Sequence, residues 1–200
     1  MNIVEKYIKT LKNAYIENKL EKEYKKFENT IKGATDENIN KLKKIYPDIP
    51  KSLIDLLKFV DGTYYRKYEK GEVLFYFLGS DIENYPYYLL SSEQIIKNKN
   101  KIYEHYSSYV DRDYEEYEVQ VDKKIIDNSK NLNWLHFSDC MNNGGSSQLF
   151  IDFSPSKFGK KGQIIRFLHD PDELEVIADS FDEYLKMLID YGIDFIENYE

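Results

Sequence analysis

The three histidines carry the side chains most readily used in metal binding or acid–base chemistry. No pair of them has the short helical spacing of a zinc motif such as His-Glu-X-X-His. A metal or acid–base cluster would require neighbouring strands to carry four residues: His136, His169, Asp139 and Asp152. His169 is followed by Asp-Pro, which is typical of the start of a turn. We therefore expect no metal site and no catalytic residue, and no motif indicates a cofactor.

Cys140 is the single cysteine of the chain and lies between Asp139 and Met141. No nucleophile motif surrounds it, so we expect a buried thiol. A single cysteine cannot form an internal disulfide, and no basic start followed by a long apolar run marks a signal peptide. These features favour a cytoplasmic location.

The glycine-rich segment 142–147 matches neither phosphate-binding pattern, G-x-x-x-x-G-K-[ST] or G-x-G-x-x-G. A tight turn that leads into a strand explains these glycines better. The chain has 36 Asp and Glu residues, so no particular pair of carboxylates indicates glycosidase-type chemistry. We therefore expect a binding protein rather than an enzyme.

The charge of the chain is unevenly distributed. The formal net charge is −8, but residues 1–32 hold 8 Lys and 5 Glu, so residues 33–200 carry −11. An acidic body repels phosphate backbones, which argues against direct nucleic-acid binding and favours a basic protein partner. The alternative is that these charges serve solubility alone.

Residues 111–118 contain five acids, one arginine and two tyrosines, and could form an acidic, aromatic docking strip. A solvated loop of the same composition is the competing interpretation. The candidate partner-binding residues are the acids Asp111, Asp113, Glu115, Glu116 and Glu118, with Tyr85 and Tyr87 as aromatic anchors.

The first part of the chain has helical patterns. Apolar residues at helical spacing predict one or two amphipathic helices over residues 2–28. Thr35 is a candidate N-cap for a second helical region, and Pro50 opens another that ends at Asp61 and Gly62. Ser180 with Glu183 forms a capping-box pattern before a closing helix.

Short apolar and aromatic runs predict strands between these helical regions. The predicted strands cover residues 73–78, 87–90, 134–137, 148–153 and 163–169, with a short helix capped by Ser91 or Ser92. Residues 97–131 have the least regular pattern and are expected to be an elaborated helix or loop. The run 73–78 is the longest apolar stretch and is far too short to span a membrane.

This order predicts an α+β fold: N-terminal helices, a central, mainly antiparallel sheet, and a C-terminal helix packed on the sheet. We divide the chain into an N-terminal helical extension, residues 1–32, and an α+β domain, residues 33–200. The aromatic content is compatible with a monomer or a homodimer.

Several segments in chain order resemble the SUKH superfamily, which includes fungal cell-wall-synthesis regulators and many bacterial toxin-immunity proteins. Residues 49–53 and 56–62 are similar to its "LP…y…fL…nG" segment, and residues 134–139 with 143–145 resemble its "W.pfa…gG" region. The remaining similar segments are 33–42, 90–95, 150–152, 162–165, 169–170 and 178–185.

The resemblance implies an α+β domain without a catalytic centre that acts by binding. It implies, for a bacterial member, an immunity protein that neutralises a cognate toxin, often a nuclease, by occluding it. A regulatory scaffold for an endogenous protein is the alternative. The extension 1–32 and the insertion around 97–131 depart from the family pattern.

Overall fold

A computed structural model describes residues 1–82, 85–113, 119–140, 147–169, 171–191 and 193–198. Within these ranges the chain forms six α-helices and eight strands in an α+β arrangement, as the sequence predicts. No helix in the described ranges has both the length and the apolar character needed to cross a membrane.

Two helices form the N-terminal extension, α1 (Ile3–Glu17) and α2 (Glu21–Thr30). Asn2 begins α1 with a capping box: its side chain accepts from the amide of Glu5, whose carboxylate accepts from the amide of Asn2. The apolar stripe of α1 is buried, and it includes Tyr7 and Tyr15. The periodic pattern over residues 2–28 therefore resolves into two helices joined by a short turn.

Two further helices follow, α3 (Asp36–Ile45) and α4 (Lys51–Phe59). The Thr35 hydroxyl accepts a hydrogen bond from the amide of Asn38 at 3.2 Å, which confirms the predicted cap. Helix α4 ends at Phe59 with Val60 as its C-cap, so the predicted cap at Gly62 is wrong. Gly62 has φ of +93°, and a Cβ there would lie 2.6 Å from the backbone nitrogen of Ser91.

The described strands form a two-stranded hairpin and a six-stranded sheet. The hairpin pairs β1 (Arg66–Tyr68) with β2 (Gly71–Val73). The sheet consists of β3 (Tyr88–Leu89), β4 (Val119–Val121), β5 (Trp134–Cys140), β6 (Ser147–Asp152), β7 (Gln163–Leu168) and β8 (Asp172–Ala178). Its spatial order is β3-β5-β6-β7-β8-β4, and every pair is antiparallel except β4 with β8.

The predicted strand over residues 73–78 is wrong. β2 ends at Val73, and Leu78 pairs with Tyr87 through a single bridge. Tyrosine hydroxyls satisfy the carbonyls between them: Tyr7 donates to the carbonyl of Phe77 and Tyr15 to that of Tyr76. The segment is apolar because its side chains fill the core beneath α1 and α2, not because it joins a ladder.

The strands β1, β4 and β8 and most of one helix were not predicted, and β2 overlaps the predicted run 73–78 at Val73 alone. α5 (Ser92–Val110) is capped by Ser91, one of the two predicted caps, but it is 19 residues long and extends into the region expected to be irregular. β8 escaped notice because its core-facing residues, Leu174 and Val176, are flanked by acids. β4 has three residues at the edge of the sheet.

Helices cover both faces of the sheet. On one face, α5 packs against Trp134, Phe150 and Phe167 in a small apolar cluster. On the other face, α6 (Phe181–Asp190) packs against β7 and β8 and contacts α1 and α4. The larger core includes α1 and α2, so the N-terminal extension shares its core with the rest of the chain.

Candidate functional site

Asp111, the first residue of the predicted acidic strip, forms hydrogen bonds within the fold. Both carboxylate oxygens of Asp111 accept hydrogen bonds from Ser129, one from its amide and one from its hydroxyl, each at 2.6 Å. These bonds hold the pKa of Asp111 below its usual value. The next residue, Arg112, has φ of +57° and donates to the carbonyl of Ile126 at 3.0 Å. Asp111 therefore anchors the end of α5 to the following loop.

The other predicted acids lie at the limit of the described chain. Asp113 is exposed, and Glu115, Glu116 and Glu118 lie outside the described residues. Among the described residues, a different group of acids gathers on the sheet.

The two predicted anchors occupy different environments. Tyr87 is 0% exposed and packs in the core, so its ring is absent from the surface where an anchor would lie. Burial raises its pKa accordingly. Tyr85 is partly exposed and lines a surface cavity of about 380 Å³. Residues two positions apart share a face only within a strand, and Tyr85 precedes both β3 and the bridge of Tyr87 to Leu78, so the two rings take different environments.

Four carboxylates gather on the sheet face that α6 partly covers, and we name this group the acidic face: Asp81, Asp122, Glu173 and Glu175. Arg166 organises it from below and is 4% exposed. Its Nε donates to Oδ1 of Asp81 at 2.7 Å, and its Nη2 donates to Asp81 at 3.0 Å and to Glu173 at 2.7 Å. Four carboxylates and one guanidinium leave a net charge of −3.

The strand register explains why this face is polar. Arg166 is paired with Glu175 across β7 and β8, so their side chains emerge on the same face. Closer to α6, the same strands pair Ile164 with Ala178, which pack against the main core. This face of β7 and β8 is therefore apolar where α6 covers it and charged beyond that helix.

Glu175 carries the electrostatic signature of crowded acids. Partial burial raises its pKa, and the neighbouring charges of Asp122 and Glu173 raise it further. Its side chain is nonetheless exposed. A cationic group that docked here would relieve this repulsion as well as add an attraction.

The cavity beside the acidic face is aromatic. Its lining comprises Gly79, Ser80, Asp81, Ile82, Tyr85, Met187, Leu188, Tyr191, Asp194 and Phe195. Asp81 belongs to both the cavity and the acidic face, so the two are continuous. Tyr191 is 81% exposed at the rim. Carboxylates next to accessible rings suit Lys and Arg side chains, because a cation is attracted to both.

The histidine that could have served in acid–base chemistry has both ring nitrogens engaged. Nε2 of His136 lies 2.8 Å from Oδ1 of Asp139, and Nδ1 lies 3.1 Å from Nδ2 of the Asn98 side-chain amide. Nε2 therefore donates to the carboxylate and Nδ1 accepts from the amide. Although burial alone would raise it, the pKa of Asp139 is lowered by His136 and by the hydrogen bond from Gln148. This arrangement stabilises the end of β5.

The remaining members of the hypothetical cluster lie elsewhere. Asp152 accepts from the amide of Ser154 at 2.8 Å and from Gln163 at 2.9 Å, and burial raises its pKa to about 6. His169 pairs with Asp172 at 2.7 Å. The four residues thus divide among three separate hydrogen-bonded groups. In the part of the chain that the structure describes, no three His, Cys, Asp or Glu side chains form a metal-binding group.

Comparison with known proteins gives one result for the family. A search of the curated proteins found no match. The model of the SMI1 / KNR4 family (SUKH-1) matches residues 33–187 of the 200-residue chain. The match begins after α2 and includes the whole six-stranded sheet and most of α6. Because the family model covers well over half of the sequence, the chain belongs to the SMI1 / KNR4 family (SUKH-1).

Proposed function

We propose that this protein is a cytoplasmic immunity protein that neutralises a cognate toxin by binding and occluding a basic surface of it. Family membership supports a protein-binding role, and the acidic face beside its aromatic cavity is the observation that carries the finer proposal. The protein acts by occupying its partner and performs no reaction of its own.

The acidic face is suited to rapid capture of a cation. Its charges are held in place before the partner arrives, because Arg166 fixes the carboxylates of Asp81 and Glu173 by hydrogen bonds. Preorganised charges lose little conformational entropy on binding. A net negative body also steers a basic partner towards them, an effect that weakens as salt rises.

The aromatic cavity provides the short-range part of the interaction. Exposed tyrosines are frequent hot spots because they bury a large area with few rotatable bonds. Tyr191 is positioned to cover an inserted side chain, and Tyr85 lines the cavity that would receive it. Charge therefore governs the rate of encounter, and the rings govern how long the complex lasts.

A regulatory scaffold that binds an endogenous protein is the second candidate, because it is equally compatible with the family. The two functions differ in what the partner does to a cell. A toxin arrests growth when it is expressed alone and ceases to do so when this protein is co-expressed. A regulated housekeeping protein does neither.

Capture from the source cells tests the proposal. Tagged wild-type protein, Glu175→Lys and the matched control Glu104→Lys are used as baits at low and high salt. Glu104 is an exposed acid of α5 outside the acidic face. We expect a basic protein that binds wild type and Glu104→Lys, is lost with Glu175→Lys, and is toxic unless this protein accompanies it. A retained partner that is harmless to cells, or one insensitive to Glu175→Lys, would contradict the proposal.

A further inference from the structure

A second groove lies on the opposite side of the sheet from the acidic face, between α5 and the strands. Two adjoining cavities of about 360 and 290 Å³ form it, and they share His105, Tyr106 and Gln148 in their linings. The family match and the proposed docking face do not account for this groove. We name it the α5 groove.

One lip of the α5 groove is basic. Lys97, Lys101 and His105 follow one another at intervals of four residues, so they line one side of the helix. All three are exposed. Neither lysine forms an ion pair with any residue that the structure describes, so both ammonium groups are available to a partner.

The floor of the groove is aromatic and its polar groups are already bonded. Tyr106, Phe150 and Phe167 pack together beneath the lip. The Tyr106 hydroxyl donates to Gln148, which donates in turn to Asp139. The carboxylate of Asp139 holds Gln148 and His136 beneath the lip, and its charge interacts with Lys101. The exposed ammonium groups of Lys97 and Lys101 are the charges that an incoming group meets first.

The dimensions indicate an extended occupant. The lining residues of α5 run from Gln94 to Tyr109, which corresponds to about 22 Å along a helix at 1.5 Å per residue. An extended chain rises about 3.3 Å per residue, so about six residues fill this length. Tyr64 also lines the groove and makes an edge-to-face contact with Tyr65, which is 58% exposed and has φ of +47°, a strained value for an aromatic residue.

We propose that the α5 groove binds an extended acidic segment, about six residues long, of a partner protein. Its carboxylates pair with Lys97 and Lys101, and its alternate residues contact the accessible edges of Tyr106 and Phe167, which are 5% and 6% exposed. Charge complementarity identifies the occupant, because these lysines form an unpaired basic lip on an otherwise acidic body. The proposal does not depend on the acidic face, which lies on the other side of the sheet and has the opposite charge.

Fluorescence anisotropy with three labelled peptides tests the proposal: Glu-Leu-Glu-Leu-Glu-Leu and its Gln-Leu and Lys-Leu counterparts. The double variant Lys97→Glu/Lys101→Glu removes the basic lip. The matched control Lys9→Glu/Lys99→Glu changes two exposed lysines outside the groove by the same total charge. Circular dichroism and thermal unfolding of each variant confirm that α5 remains folded.

We expect the acidic peptide to bind at least about tenfold more tightly than its Gln-Leu counterpart. Binding should fall about tenfold in Lys97→Glu/Lys101→Glu and stay within about twofold in the control. Equal loss in both variants would show general charge attraction and overturn the proposal. Absence of binding to the acidic peptide, or tighter binding of a hexathymidine oligonucleotide, would also overturn it.

Discussion

Asp152 shows how one buried side chain makes stability depend on pH. Its pKa is raised to about 6 in the folded protein, against 3.8 for an unperturbed aspartate, chiefly because it is buried. Between these values the folded state binds a proton that the unfolded state releases. The contribution of Asp152 to the free energy of unfolding therefore rises as the pH falls from 7 towards 4 and declines as the pH rises, whereas carboxyls with a lowered pKa, such as Asp139, contribute with the opposite sign.

We predict that Asp152→Asn removes this dependence. A difference of about two pKa units corresponds to about 3 kcal/mol, so wild type should gain up to that amount relative to the variant between pH 7 and pH 4. Urea unfolding at both pH values measures it. Asp127→Asn changes an exposed aspartate in a loop and serves as the control. An unchanged gap between wild type and Asp152→Asn at the two pH values would refute this interpretation.

Single residues also mark the limit of sequence-based prediction at the site. The caps at Thr35 and Ser180 were predictable because each bonds to an amide three residues away. The grouping of Arg166 with Asp81 was not, because it joins residues 85 positions apart and depends on the sheet register. No local pattern distinguishes a buried arginine that organises carboxylates from a solvated one.

At the scale of secondary-structure elements, Gly62 allows the turn after α4 to pack against the start of α5. It adopts φ of +93° and lies against the backbone of Ser91, the N-cap of α5. Its neighbour Asp61 accepts from the amide of Ser92 at 2.7 Å, so the same turn caps the helix a second time. The position therefore requires both a left-handed backbone and the absence of a Cβ.

Gly62→Ala should lower the free energy of unfolding by about 2–4 kcal/mol, since it adds a backbone clash to the conformational strain. Gly71→Ala is the matched control, because Gly71 has φ of +146° and nothing within 4 Å of its Cβ position. Its conformational strain alone should cost about 1–2 kcal/mol. Denaturant unfolding of both variants decides the matter, and equal losses would mean that close packing at Ser91 is unimportant.

Strand prediction succeeded where apolar residues fill both faces of a strand and failed where one face is polar. The strands β5, β6 and β7 were recognisable because residues on both of their faces are buried. The first half of β8 alternates acids with apolar residues because one of its faces is acidic there, and α5 was predicted too short because its polar residues line a groove. Both proposed surfaces are thus built partly from elements that the sequence pattern misjudged, although the missed hairpin strand β1 belongs to neither surface.

The N-terminal extension is structural at the scale of the whole molecule, even though the family match begins at residue 33. Phe27 stacks on Phe75 with ring centroids 3.9 Å apart, and Tyr15 stacks on the same ring at 4.6 Å. Removal of residues 1–32 exposes these partners to water. Five large side chains of the extension are buried: Tyr7, Leu11, Tyr15, Tyr24 and Phe27.

We predict that a variant lacking residues 1–32 fails to unfold cooperatively or aggregates. At about 2 kcal/mol for each of those side chains, the loss approaches the total stability of an ordinary domain. Calorimetry and light scattering measure both effects. A shortened protein with the wild-type melting temperature would instead show that the extension is an accessory element.

The whole molecule presents opposite charges on the two sides of one sheet. The acidic face emerges beside α6, and the basic lip of the α5 groove lies beyond the strands on the other side. A protein arranged in this way can hold two partners, or two parts of one partner, without competition between them. Binding to each surface should therefore respond to mutations on that surface alone.

The association rate of the captured partner is the most direct test of the central claim that the acidic face docks a basic toxin. Stopped-flow mixing over a range of ionic strengths compares wild type, Glu175→Lys and Glu104→Lys. We predict a rate constant that falls as salt rises, is reduced about tenfold by Glu175→Lys at low salt, and is unchanged by Glu104→Lys. A rate independent of salt and unaffected by Glu175→Lys would contradict this account.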